Sequence, residues 1–321
     1  MHHITFRTLS VALIGLSTLA MGADYPDKSI RWILPYPPGG GTDFIARPIA
    51  QKLSDNLGRQ VLIDNRGGAN GTLGMEMAAQ AAPDGYTIVM AITAQAAINP
   101  TFYPKLPYDP MRDYVPITLL GTAPYVIVVN PSLPVKSLPE MIALAKSKPG
   151  QLNSASSGTG GIPHLALEML KTAAGVNIVH VPYKGGGPAT TDLLGGQVQI
   201  MFSTISSLLQ HIRSGRLRAI AVTSAERLPT LPDVAPVAQT LPGYEATTFF
   251  AMLAPAGTPT PIVNRLNREF VRVLASPEIK EKLDSYDFQI IGSTPDQLAL
   301  YMRNEIARWA KVIKESAIEP E

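Results

Sequence analysis

Three times in this sequence a short apolar or β-branched run ends in a glycine-rich turn from which a helical pattern starts at once. Arg31-Trp32-Ile33-Leu34 runs into Pro35-Tyr36-Pro37-Pro38-Gly39-Gly40-Gly41-Thr42-Asp43. A strand near Asn153 runs into Ser156-Ser157-Gly158-Thr159-Gly160-Gly161-Ile162-Pro163, and residues 178–181 run into Pro182-Tyr183-Lys184-Gly185-Gly186-Gly187-Pro188. Glycine adopts positive φ without strain and lets a backbone approach its neighbour closely. The first amides of a helix have no partner inside it, and the helix dipole makes that end positive. Strand, glycine turn and helix in that order therefore form a seat for an anion. In open α/β sheets such turns line the crevice at the carboxyl ends of the strands.

The rest of the chain keeps the alternation. Strands are expected at 30–34, 61–64, 87–92, 125–130, near 153, and at 178–181, 198–202 and 217–222. Helices are expected at 46–57, 72–82, 138–146, 164–174, 189–194, 262–275 and 295–316. Strands alternating with helices imply an α/β fold of mainly parallel sheets flanked by helices. With 321 residues, a prior of roughly 150 residues per domain gives two domains. The densest of the 29 prolines and 26 glycines fall in 100–116 and 229–261 and bracket a central block of domain size. The expected division is lobe 1 from 24–125 and 250–321, and lobe 2 from 126–249. One glycine turn then lies in the first lobe and two in the second, so the anion is expected in a cleft between lobes.

Several function classes are excluded or weakened. With 27 Lys and Arg against 25 Asp and Glu, the chain lacks the basic field of a nucleic-acid binder. There is no cysteine, which removes disulfides, thiolate metal sites and thiol nucleophiles. The Walker A pattern needs a lysine after its second glycine, but Lys184 precedes its glycines. The dinucleotide fingerprint needs a third glycine where this chain has Phe44. No G-x-S-x-G elbow and no H-E-x-x-H pair occurs. His164 and Glu168 stand four apart, which suits an intrahelical pair. Asp43 and Asp192 suit first-turn partners of helix dipoles better than paired catalytic acids. For the glycine-rich 65–71 stretch, a surface turn and a ligand contact both remain open. No cofactor or metal is expected. An α/β hydrolase using the glycine turns as an oxyanion seat is the runner-up.

Residues 1–23 have the build of a signal peptide: Arg7, an apolar run over 9–19, then Ala20, Gly22 and Ala23 ahead of a cut after Gly22 or Ala23. That run is short of the ~20 residues that span a bilayer. The expectation is an exported, soluble protein.

The ordered motifs resemble the solute-binding receptors of tripartite tricarboxylate transporters, the Bug family. The resemblance is carried by Pro35 to Asp43, Asn65-Arg66-Gly67-Gly68-Ala69, Pro83-Asp84-Gly85-Tyr86-Thr87 and Ser157-Gly158-Thr159-Gly160 followed by His164 and Glu168. It continues through Val181 to Ala189, Asp192-Leu193-Leu194-Gly195-Gly196 and Ala254-Pro255-Ala256-Gly257-Thr258-Pro259, and so covers nearly the whole chain after 1–23. It implies a two-lobed type II periplasmic binding protein, monomeric and not an enzyme. Such a protein closes on a small carboxylate and presents it to the membrane subunits of the transporter. Carried over onto this chain, the ligand contacts are Tyr36, Pro38, Gly39, Gly40, Gly41, Thr42 and Asp43, then Thr93, Ala94, Gln95 and Ala96. In the second lobe they are Ser157, Gly158, Thr159, Gly160, His164, Tyr183, Lys184, Gly185 and Gly186. Ser203 stands where many relatives carry an acid, which mildly favours a ligand without an amine. Tyr36 and Tyr183 are expected to offer ring surface and a hydroxyl to the ligand's far end. A dicarboxylate, a tricarboxylate, a hydroxy acid or an aromatic acid all fit this reading.

Overall fold

The computed structural model describes residues 25–316; the expected signal peptide lies outside them. Among the described residues, no helix is long and apolar enough to cross a membrane.

The first sheet begins with β1 (Ile30–Leu34), a run buried on both faces that pairs in parallel with β2 (Val61–Asn65) and β3 (Thr87–Ile92). Between β1 and β2 lies α1 (Gly41–Leu57). It starts from Gly40, buries Ile45, Ala46, Ile49, Ala50 and Leu53, and stops at Gly58 in the left-handed conformation, where glycine carries no Cβ penalty. α2 (Thr72–Ala79) returns the chain to β3, whose end coils into one π-turn (Ala94–Ile98) and α3 (Asn99–Phe102).

Next comes β4 (Tyr114–Val129), which belongs to both sheets. Its first part, to Pro124, pairs antiparallel with β9 (Thr247–Pro255), which also flanks β3. Its last five positions, Tyr125 to Val129, pair antiparallel with β7 (Ile200–Thr204) and β8 (Arg218–Val222). Parallel β5 (Asn153–Ser156) and β6 (Val179–Pro182) complete the second sheet. The helices of this lobe are α4 (Leu138–Ser147), α5 (Ile162–Ala174), α6 (Gly186–Leu194) and α7 (Ile205–Arg213). After β9, α8 (Thr260–Leu274), α9 (Pro277–Asp284), short β10 (Gln289–Ile290) and α10 (Pro295–Ser316) finish the first lobe.

The architecture is the expected two-lobed α/β fold, and the sheets are more mixed than simple alternation implies. Pairing is parallel within β1–β2–β3 and β5–β6–β7, and antiparallel wherever β4, β8, β9 or β10 takes part. The reason is topological: strands that carry the chain between lobes run against the βαβ units they join. β9 lies inside the proline-rich 229–261 stretch, where no strand is expected from pattern. Its Thr-Thr-Phe-Phe-Ala-Met-Leu-Ala-Pro run is central and buried, so it lacks the alternation of a half-exposed strand.

The two passages between sheets are joined by one side chain. The Thr223 hydroxyl accepts from the Tyr125 amide at 2.8 Å and donates to the Ala246 carbonyl at 2.5 Å. The Thr223 amide donates to the Tyr125 carbonyl, and the Ala246 amide to the Thr223 carbonyl.

Candidate functional site

Four helices direct their first turns at one cleft. α1 starts from Gly40, α5 from Gly161, α6 from Gly185 and α7 from Thr204, and in none of them does a side chain cap the first turn. Away from the cleft, α8 and α9 also begin without a side-chain cap, while the Ser137 side chain accepts from the Glu140 amide at the start of α4. The cleft is lined by Tyr36, Gly40, Gly41, Thr42 and Ile92 of the first lobe, and by Ser157, Pro163, Gly186, Met201, Phe202, Ser203 and Thr204 of the second. Tyr125, Thr248 and Phe250, on the strands joining the lobes, close its floor. The space between these residues is about 50 Å³, room for a few water molecules or one carboxylate group.

The glycines explain how the lobes come so close. A Cβ on Gly41 would lie 2.1 Å from the Thr204 hydroxyl oxygen across the cleft. A Cβ on Gly185, whose φ is +124°, would meet the Pro37 ring at 2.6 Å. Gly40 and Gly186 face one another, with the built Cβ of Gly186 3.7 Å from Gly40 Cα.

No residue lining the cleft carries a formal charge. Its polar groups are amide N–H groups of helix starts and the hydroxyls of Thr42, Ser157, Ser203, Thr204, Tyr125 and Thr248. Burial pushes the Tyr36 and Tyr125 phenols well above the ordinary tyrosine range, so both stay neutral. Ser203 and Ser207 hydroxyls pair at 3.0 Å, and those of Thr204 and Ser206 at 3.1 Å. Oriented neutral dipoles gathered in one cleft favour an anion without a buried countercharge.

Of the residues expected from sequence, Tyr36, Gly40, Gly41, Thr42, Ser157, Gly186 and Ser203 line the cleft. Pro38 and Gly39 form the outer edge of the first turn. Asp43 points away from the cavity: its carboxylate takes two hydrogen bonds from Arg47, at 2.7 and 2.9 Å, and further ones from Asn65 and the Gly39 amide. It ties the glycine turn to α1. Lys184 is exposed on the outside of the third turn, and the Tyr183 hydroxyl donates to Asp192 at 2.7 Å rather than into the cleft. Gly158, Thr159, Gly160 and Gly185 make lobe-to-lobe contacts instead of lining the cavity.

Thr93, Ala94, Gln95 and Ala96 lie one layer below the cavity wall. The Thr93 hydroxyl accepts from the Phe249 amide at 2.9 Å and sits 3.3 Å from the Thr248 hydroxyl. The Gln95 amide donates to the Tyr36 hydroxyl and to the Asn70 carbonyl, both at 2.7 Å, while its oxygen accepts from the Ile92 amide. The Tyr36 hydroxyl in turn donates to Asn70 Oδ1 at 3.2 Å. Tyr36 therefore gives the cavity its ring and not its hydroxyl, which corrects the sequence expectation.

His164 is 4% exposed; its Nδ1 accepts from the Gly160 amide at 3.1 Å and its Nε2 stands 3.9 Å from Glu168. It stacks on His180 with ring centres 3.9 Å apart, and it braces the second glycine turn from behind. His180 Nε2 lies 2.6 Å from the Ser156 hydroxyl. That serine is 1% exposed and also bonds both the amide and the carbonyl of Gly158, so the serine–imidazole pair is spent inside the turn. Among the described residues, no three His, Cys, Asp or Glu side chains gather as a metal site.

Sequence reasoning missed Ile92, Tyr125, Pro163, Met201, Phe202, Thr204, Thr248 and Phe250. Two of them carried a signal: Pro163 closes the second glycine turn, and Thr204 is a hydroxyl residue ahead of an amphipathic run.

Two lobes joined by a pair of crossing strands, with helix starts facing each other over a closed cleft, define a solute-binding protein. The chain belongs to the tripartite tricarboxylate transporter family receptors, whose sequence profile matches residues 45–318. Within that family it is similar to Protein BugT of Bordetella pertussis, with 38% identity over 95% of this chain and 94% of the relative. A Rhodopseudomonas palustris protein solved with adipate superposes with a TM-score of 0.90 at 35% identity, over 92% of this chain and 100% of the other. MatC from the same organism, with bound malate, gives 0.85 at 32% identity, over 90% of this chain and 100% of the other.

Proposed function

We propose that the chain is an exported receptor that closes its two lobes, 24–125 with 250–321 and 126–249, on a small carboxylate and hands it to a tripartite membrane transporter. The observation that carries this reading is the convergence of four uncapped helix starts on an uncharged, hydroxyl-lined cleft. A carboxylate held from both sides stabilises the closed arrangement over the open one, and a group gripping one lobe alone would not. Adipate and malate in two related proteins make aliphatic dicarboxylates the first class to test here. The apolar side chains of Ile92, Met201, Phe202 and Phe250 suit the carbon chain between polar ends. The hydrolase reading is disfavoured because no His, Asp, Glu or Lys lines the cleft to serve as a base for its hydroxyls.

The test is thermal melting of the purified protein against adipate, malate, citrate, benzoate and glutamate, with mass spectrometry of the recovered ligand. At one hundred times its dissociation constant a ligand stabilises the fold by about 2.7 kcal/mol, a shift of a few degrees at this size. The expected outcome is a shift with one chemical class and intact ligand afterwards. A ligand recovered as product would overturn the receptor reading in favour of an enzyme.

A further inference from the structure

Asn70, Phe102 and Tyr103 belong to the first lobe and do not line the cavity, yet all three touch one turn of the second. The Tyr103 hydroxyl donates to the Thr159 carbonyl at 2.7 Å. A Cβ on Gly160 would lie 2.7 Å from the Phe102 ring, and Cβ atoms on Gly158 and Gly161 would lie 3.4 and 3.5 Å from Asn70 Oδ1. Gly158 and Gly160 have φ of +144° and +77°, so this turn needs glycine for its backbone and for its contact alike. Ser157, in the same turn, forms one wall of the cavity.

Asn70 also reaches the opposite wall. Its Oδ1 accepts from the Tyr36 hydroxyl, its Nδ2 donates to Asn99 Oδ1 at 3.1 Å, and its carbonyl accepts from Gln95. Ala69 and Asn70 hold φ of 45° and 49° between two positive-φ glycines, Gly68 and Gly71. Non-glycine residues persist there only where their surroundings over-determine them, and asparagine is among the few that tolerate it. The glycine-rich 65–71 stretch, ambiguous in sequence, thus presents one carboxamide to the ligand-facing Tyr36 on one side and to the second lobe on the other.

We infer that Asn70 and Tyr103 are positioning residues for ligand capture. They seat the 157–161 turn on the first lobe as the cleft closes, and Asn70 links that seating to the Tyr36 ring in the cavity wall. The inference rests on the receptor reading above.

The test is hydrogen–deuterium exchange on the whole protein, first without ligand. Tyr103→Phe removes one hydroxyl and keeps the ring that packs edge-on against Phe102; Asn70→Gly removes the carboxamide and keeps the backbone conformation. Both are expected to exchange at least fivefold faster than wild type over 157–164. Tyr114→Phe, which loses only a bond to the Met75 carbonyl inside the first lobe, is expected to leave that segment unchanged. Acceleration confined to 66–72 and 99–103 would overturn the inference and leave both residues merely structural. With adipate as probe, wild type is expected to be protected at 36–44 and 157–164, and the variants at 36–44 alone, with about fivefold weaker binding. Adipate without effect on wild type would count against the receptor reading for that ligand, while the unliganded comparison still decides the role of Asn70 and Tyr103.

Discussion

At the scale of single residues, two adjacent glycines do different work. Gly40 precedes α1 with φ −89°, an ordinary conformation, and a Cβ there meets nothing nearer than 3.9 Å. Gly41 faces the Thr204 hydroxyl across the cleft with no space for a methyl group. Gly41→Ala is therefore expected to weaken ligand binding at least tenfold, about 1.4 kcal/mol, with the unliganded melting temperature within 2 °C or so of wild type, since without ligand the lobes are free to part and relieve the clash. Gly40→Ala is expected to stay within about threefold. Calorimetric titration of both variants checks this, and equal losses would remove the steric distinction. Neither glycine reveals its role in sequence, where the three read as one tract. The tract announces an anion seat; which glycine faces the other lobe depends on Thr204, 163 positions away in the chain. Asp43 shows the same limit, because an acid in a first helical turn looks alike whether it meets a ligand or, as here, Arg47.

At the scale of elements, the strand–turn–helix units were legible, and of the strands between lobes only the last part of β4, expected at 125–130, was; its first part and β9 were not. α1, α5 and α6 follow the glycine turns as expected, because the signal for each lies within a dozen consecutive residues, but they start inside the tracts, at Gly41, Ile162 and Gly186, rather than at 46, 164 and 189. The floor of the cavity comes from Tyr125 on β4 and from Thr248 and Phe250 on β9, which meet only after the chain has traversed the second lobe. The π-turn after β3 is likewise set by its surroundings: Gln95 turns inward because the Tyr36 hydroxyl and the Asn70 carbonyl receive its amide. The unit β5–α5–β6 carries a pH dependence. Burial, aided by Lys171, pushes His180 down to about 4, below the ~6.5 of an unfolded histidine. Between these values the unfolded chain binds a proton that the folded one does not, so stability is present above pH 6.5 and is lost as pH falls toward 4. Melting temperatures at pH 7.5 and 4.5 are expected to differ less in His180→Gln than in wild type. An equal drop in both proteins would assign the acid sensitivity to other groups.

For the molecule as a whole, motion between lobes must pass through the two strand crossings that Thr223 ties together. Thr223→Val keeps the shape and strands the Tyr125 amide and Ala246 carbonyl inside the protein, a loss of about 2 kcal/mol that urea denaturation would read; a loss under 0.5 kcal/mol would show that water or a shifted backbone replaces the hydroxyl. The neutrality of the cleft reaches further. Since no side chain lining it titrates near physiological pH, the proposed receptor has no protonation state of its own to set when it binds. Its apparent affinity would follow the ionised fraction of the acid it captures, which changes little once the pH is well above the carboxylate range near 4. The threshold for capture would then stay nearly constant as the surroundings drift in acidity, where a receptor built on histidine would drift with them.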